Sequence, residues 1–366
     1  MTEENAQAES ESFRAAKERS DRTWAQIAEE PSRFRMLTGD RPTGPLHIGH
    51  YFGTLKNRVD LQNRGVDTMV LVADYQVLTD RDKPEAIGEN VREVILDYLA
   101  AGLDPNSPNT TIFSHSCIPE LNQLMLPFLT LVSVPELERN PTVKEEVQAA
   151  NLKVVSGSMF TYPVHQAADI LFCKSHIVPV GKDQLAHLEI TRKIARRFNK
   201  RYSPKTPVFP IPTALLSESP MILGLDGSQK MSKSRGNAIL LKMTAAETTK
   251  ALMKAKTDSE RRITFDPDSR PEVAGLLRLL ALVTDETAEQ WADTIGDGGG
   301  GTLKKTLADA LNAYFEPLRK RRAEFAEDPE LVQRVLGAGN ERARELARTT
   351  MNDVRRAMQM DYLASP

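Results

Sequence analysis

The chain has 366 residues, of which 40% are hydrophobic and 27% charged, with a formal net charge of −2. That length exceeds what one hydrophobic core usually fills, so two domains are expected. The near-neutral balance excludes a globally basic surface, so any nucleic-acid partner must be met by local patches.

Residues 1 to about 30 are polar and acid-rich. They lack the apolar run of a signal peptide and read as a flexible tail with room for one loose helix. Met36-Leu37 opens a buried strand, and RPTGPLHIGH (Arg41 to His50) turns it towards a helix. Tyr51 to Gly65 has helical spacing and ends on glycine, and MVLVADY (Met69 to Tyr75) is a Val/Leu-rich strand. Strand, helix, strand in this order is a βαβ crossover. PEAIGENVREVILDYLAAGLD is the next helix and TTIFSHS (Thr110 to Ser116) the next strand. Helices are expected over Leu121–Val132 and Lys144–Ala150, then strand and loop in SHIVPVGKDQ, then a basic helix, LAHLEITRKIARRFNKRY. Alternating strands and helices give an α/β class with an open parallel sheet, Rossmann-like. From about Thr244 every segment has helical period. The expected division is therefore a tail (1–30), a catalytic α/β domain (31–240) and an α-helical domain (241–366). GDGGGGT (Gly296 to Thr302) lacks the strand that a phosphate loop needs and reads as a flexible helix–helix connection.

No apolar run approaches ~20 residues, so no membrane span is expected. Cys117 and Cys173, the only cysteines, cannot build a disulfide framework or the four ligands of an iron–sulfur cluster, and a reducing, cytoplasmic setting fits.

Two stretches carry chemistry. In RPTGPLHIGH, Gly44 permits a turn and Pro45 suits the start of a helix. His47 and His50 then share one helix face, with Gly49 between them. Imidazoles at a helix start suit a phosphate whose charge grows during reaction, but the same pattern fits surface histidines at an ordinary corner. In GSQKMSKSRGN, Lys230 and Lys233 lie among glycines and serines (Ser232, Ser234 and Met231 between and beside them). Two ammonium groups on a mobile loop can clamp a polyphosphate, although a solvated basic loop is the plainer alternative.

HIGH followed by KMSKS resembles the class I aminoacyl-tRNA synthetases. LTGDRPTGPLHIGHY, VADYQVLTD, ELERNPTVK, TYPVHQAADIL, VPVGKDQLAHLEITR, RFNKRY, KMSKS and KTDSE, in this order, are similar to the bacterial tryptophanyl-tRNA synthetases from about Met36 onward. The resemblance implies a homodimer that joins L-tryptophan to ATP, releases pyrophosphate, and passes tryptophan to tRNA(Trp). It implies ATP with Mg²⁺ and no tightly bound metal. His47 and His50 would steady the phosphates, Arg41, Pro42 and Thr43 would line the adenosine, and Gly49 would leave room for adenine. Lys230 and Lys233 would embrace the leaving pyrophosphate, with Met231, Ser232 and Ser234 of the same loop also binding ATP. Asp183 would meet the ATP ribose region, with Gly181 and Lys182 beside it also binding ATP, and Met221 the adenine. Asp169 would take the indole N–H; Tyr162 and Gln184 would hold the α-amino group; Gln166 and Gln76 would line the pocket.

The chain departs from many members in carrying His47 and His50 where threonine and asparagine stand, Gln166 for methionine, Lys182 for glutamate, and no histidine near Gln76. These replacements mark a subtype. A tyrosyl-tRNA synthetase, a small nucleotidyltransferase carrying HxGH, and a non-catalytic synthetase paralogue are the alternatives. Arg192, Lys193, Arg196, Arg197, Lys200 and Arg201 are candidate contacts to the tRNA acceptor arm. Arg319–Arg322, Arg342, Arg344, Arg348, Arg355 and Arg356 are candidates for the anticodon arm. Solvated helix faces are the competing reading for both sets.

Overall fold

The computed structural model describes residues 3–79, 86–144, 155–181, 184–216, 222–227 and 229–362. Five short apolar runs form its strands: β1 (Arg35–Asp40), β2 (Asp67–Val72), β3 (Thr110–Ser114), β4 (Ile177–Val180) and β5 (Thr213–Leu216). They make one sheet in the order β3-β2-β1-β4-β5, every neighbour parallel. β2 and β3 are buried on both faces almost throughout, as expected where helices cover both sides. Order reverses between β1 and β4, so the C-terminal ends of these two strands open the crevice where such sheets bind ligands. β5 was not among the sequence-read strands: TALL is four residues long and does not alternate.

The helices are α1 (Glu3–Glu29), α2 (Ile48–His50), α3 (Lys56–Asn63), α4 (Ile87–Ala101), α5 (Pro119–Leu129), α6 (Val134–Glu138), α7 (Gly157–Phe172), α8 (Leu185–Tyr202), α9 (Ala245–Met253), α10 (Pro271–Leu282), α11 (Ala288–Ile295), α12 (Gly299–Ala326) and α13 (Leu331–Ala357). A wide π turn, Tyr51–Leu55, joins α2 to α3. The helix expected over Lys144–Ala150 falls mostly outside the described residues. Among those residues no helix is long and apolar enough to cross a membrane. Both cysteines are free thiols, Cys173 buried and Cys117 exposed.

Residues 1–30 are not a loose tail where they are described. Ala16, Ser20 and Ile27 of α1 are buried, and Ser20 Oγ accepts from the Leu216 N–H at 2.9 Å. Trp24 Nε1 donates to the Leu216 carbonyl at 3.3 Å. Polar composition hid this docking because one narrow stripe carries it: i, i+4, i+7 and i+11 positions suffice to cover an exposed sheet edge. The Gly-rich connection is also tighter than read. Only Gly296–Gly298 link α11 to α12, which already begins at Gly299.

The sequence division at residue 240 does not divide the packing. α13 returns to the sheet, where Gly339 lies on β3 so closely that a Cβ there would stand 1.8 Å from the Ile112 carbonyl oxygen. Thr350 Oγ1 donates to the Phe172 carbonyl at 2.6 Å, and Asn340 Oδ1 accepts from the Ser114 N–H at 3.0 Å.

Candidate active site

β1 delivers RPTGPLHIGH to the C-terminal edge of the sheet. Gly44 holds φ at +117°, a left-handed conformation that a side chain would strain. The Leu46 N–H then donates to buried Asp97 Oδ2 at 2.6 Å, fixing the chain before α2 starts. His47 caps α2, and its N–H donates to His50 Nδ1 at 3.2 Å. The two rings lie against each other, tilted by 42°, with centroids 3.7 Å apart. Gly49 makes this possible: a Cβ there would sit 2.9 Å from the His47 ring. In this structure the space at Gly49 is therefore occupied by His47, a use distinct from the room for adenine that the resemblance implies.

Below the histidines, Asp40 pairs with the buried Arg58 guanidinium and accepts from the Tyr98 hydroxyl at 2.7 Å. Burial pushes the Asp40 carboxyl up, but the Arg58 charge and hydrogen bond outweigh it, aided by His50 and Tyr98, and hold it at about 2. Burial brings His47 down to about 3, reinforced by His50, Lys233 and Lys230. Burial brings His50 down to about 4 against the pull of Asp40. Both imidazoles are neutral at pH 7 and offer N–H groups rather than cations.

This has a consequence for stability. The unfolded chain takes up protons on these histidines near pH 6.5 and the folded chain resists until about 4 and 3, so stability falls as pH drops through that window. Asp40 adds a further loss between its ordinary 3.8 and about 2. Thermal melts from pH 7 to pH 4 should show a falling Tm, and His50→Asn should flatten the dependence. An unchanged slope in that variant would contradict the assignment.

The second stretch is tied to the first. Lys233 Nζ donates to the Gly44 carbonyl at 3.0 Å. Just past KMSKS, the Ile48 N–H donates to the Ile239 carbonyl at 3.0 Å and the Leu241 N–H to the Leu46 carbonyl at 2.9 Å, an antiparallel bridge around His47 and Leu240. Met231 is buried, whereas Lys230 and Ser234 are exposed. Asn237 staples the loop: its Oδ1 accepts from the Ser232 N–H at 2.8 Å and its Nδ2 donates to Asp226 at 3.0 Å. Met221, Lys182 and Asp183 lie outside the described residues. Arg41, Pro42 and Thr43 form a tight turn, with the Thr43 N–H on the Arg41 carbonyl at 2.8 Å.

A third group stands at the ends of β2 and β3. Asp169 on α7 is buried, with His115 Nε2 at 2.8 Å and His165 Nδ1 at 4.0 Å. Tyr75 stacks on His115 at 6.2 Å, and Gln76 follows it in the same short turn. His115 and His165 were missed by the sequence reading. The signal for His165 was present, four residues before Asp169 on one helix face. Gln166 is half-buried on the same helix, and Gln184 opens α8, its N–H on the Gly181 carbonyl at 3.1 Å. Tyr162 is held by its hydroxyl to His187 Nε2 at 2.8 Å, and Asn140 meets the other ring nitrogen at 3.1 Å.

Many of the candidate tRNA-contacting arginines are engaged within the fold. Arg322 pairs with Asp97 and Glu93, and Arg321 donates to the Ala100 carbonyl. Arg342 donates to the carbonyls of Thr110 and Pro108, and Arg319 to Asn312 and Thr248. Arg197 grips Glu136, and buried Arg192 meets the Pro212 carbonyl. Lys193, Arg196, Lys200 and Arg201 remain exposed.

The model of the class I tRNA synthetases for tryptophan and tyrosine (W and Y) matches residues 29–316. The chain belongs to this family. It is 42% identical over 331 residues to the tryptophan–tRNA ligase of Treponema pallidum, covering 88% of this chain and 96% of that relative. It is 44% identical over 336 residues to the tryptophan–tRNA ligase of Clostridium longisporum, covering 89% and 97%. The tryptophanyl-tRNA synthetase of Campylobacter jejuni, solved with ADP and tryptophan, superposes with a TM-score of 0.76 at 30% identity, over 89% of this chain and 99% of that one. As a class I synthetase, the chain presents its two signature stretches in contact at the switch point of the sheet.

Proposed function

We propose that the chain is a tryptophan–tRNA ligase. The observation that carries this is the joining of RPTGPLHIGH to KMSKS through Lys233 and Gly44, at the sheet edge that also presents Asp169. The tryptophan carboxylate attacks the α-phosphorus of ATP; the bond to the bridging oxygen breaks, and pyrophosphate leaves. A terminal ribose hydroxyl of tRNA(Trp) then attacks the acyl carbon, and AMP leaves. Both partners of the first step are anionic, so positioning and charge stabilisation dominate and no protein nucleophile is needed. His47 and His50 offer neutral N–H groups to the phosphates, and Lys230 and Lys233 neutralise the pyrophosphate. Arg41, Pro42, Thr43 and Gly181 line the nucleotide.

Asp169 takes the indole N–H. A carboxylate built to accept an N–H rejects phenylalanine, which leaves it unpaired. Mg²⁺ arrives on the ATP phosphates. Those phosphates offer the oxygen ligands that a hard cation prefers. The cytoplasmic setting follows from the substrates. The helical region from residue 241 meets the anticodon arm. Exposed apolar side chains after β2 and β3, Leu78, Leu126 and Val134, support a homodimer.

Charging of total bacterial tRNA tests the reading. Alkali-labile esterification by tryptophan of a single tRNA species is expected. Adenylate formation with no charged tRNA contradicts it and favours the paralogue.

A further inference from the structure

Two buried polar atoms, His115 Nδ1 and Asp169 Oδ1, have no hydrogen-bond partner among the described residues, while His115 Nε2 and Asp169 Oδ2 face each other at 2.8 Å, off the ideal hydrogen-bond alignment. Both residues are 1% exposed. A buried polar atom left unmet is costly, so the cluster is built for something that binds. The three side chains around it are not equivalent. His165 Nε2 meets Asn122 Oδ1 at 3.1 Å, which places its proton on Nε2 and leaves Nδ1 an acceptor. Burial lowers the His165 pKa, keeping the ring neutral. An acceptor 4.0 Å from Asp169 Oδ1 cannot restrain the carboxylate. His115 can, because its Nε2 stands 2.8 Å from Oδ2. His115 is itself held, in the turn His115–Cys117 after β3, with Tyr75 stacked on its face and the His165 ring centroid 5.0 Å away.

We propose that His115 is a positioning residue for amino-acid selection: its Nε2–H fixes Asp169 Oδ2, so that Oδ1, flanked by His165 Nδ1, is presented to the ring N–H of the substrate. This rests on the reading of Asp169 as the indole partner. An N–H entering between Oδ1 and Nδ1 meets two acceptors, whereas a phenyl ring leaves both unmet and a phenol hydroxyl meets them from a different distance. A tetrahedral metal is the competing occupant, because ligand atoms of His115, His165 and Asp169 lie within 4.8 Å of one another.

ATP–pyrophosphate exchange with His115→Ala and His115→Gln tests this. The alanine variant should raise the tryptophan KM about tenfold or more, with kcat and the ATP KM within about threefold of wild type. Its discrimination against phenylalanine and tyrosine should fall in parallel. The glutamine variant, whose amide N–H can reach Oδ2, should recover most of the affinity. A wild-type KM in the alanine variant overturns the proposal, as does a glutamine variant no better than alanine at equal Tm. Competitive inhibition of the wild type by micromolar Zn²⁺, lost in the glutamine variant, also overturns it by assigning the cluster to a metal. Failure of the Asp169 reading is separate: it appears as an Asp169→Asn variant that keeps the wild-type tryptophan KM and selectivity.

Discussion

Replacing Lys233 by alanine should slow tryptophan-dependent ATP–pyrophosphate exchange by about 10²-fold, the usual cost of removing one preorganised donor from developing charge. Tryptophan affinity, read by equilibrium binding without ATP, should stay within about twofold, because an interaction with the leaving group acts in the transition state alone. The reason lies in where Lys233 sits. Its Nζ rests on the Gly44 carbonyl, and from there its charge acts on both His47 and His50. Lys230, exposed on the same loop, has no such tether among the described residues and should contribute by closing on the phosphates. Unchanged exchange kinetics in Lys233→Ala would remove Lys233 from the chemistry.

Arg322→Leu should destabilise the fold by about 3–5 kcal/mol, the cost of stranding a buried charge. Asp97 is fully buried; one oxygen accepts from Arg322 Nε at 2.7 Å and the other from the Leu46 N–H at 2.6 Å. Burial already pushes the Asp97 carboxyl up, and Arg322 is the main opposing charge. Without Arg322 the group protonates more readily, so the deficit should shrink as pH falls from 7 towards 5. The same variant loosens Leu46, one residue before His47, and links the helical C-terminal region to the signature turn. Chemical denaturation at both pH values reads the effect; a loss below about 1 kcal/mol at pH 7 would make the pair an ordinary surface bridge.

Strand–helix alternation was legible because the strands β1 to β4 are apolar runs bounded by turns, and both signature stretches stood out by composition alone. The tie between them was not. Leu46, Ile48, Ile239 and Leu241 are unremarkable apolar residues, and their antiparallel bridge is long-range pairing that no local pattern encodes. α1 was misread because a polar helix with one narrow buried stripe has the composition of a disordered segment. The arginines of α12 and α13 stood between two sequence readings, anticodon-arm contacts or solvated helix faces, whereas several bind backbone carbonyls of the sheet and its helices. Charge shows in a sequence, but the direction in which a guanidinium points does not. His115 escaped for a related reason: FSHS reads as the frayed end of a strand, and its meeting with Asp169 depends on β3 and α7 lying side by side.

The central claim is that this site makes tryptophanyl-adenylate. ATP–pyrophosphate exchange by the full chain, run separately with each of the twenty amino acids, tests it most directly. Exchange with tryptophan, and none above background with tyrosine or phenylalanine, is the expected result. Exchange driven by tyrosine, or silence with all twenty, would contradict it.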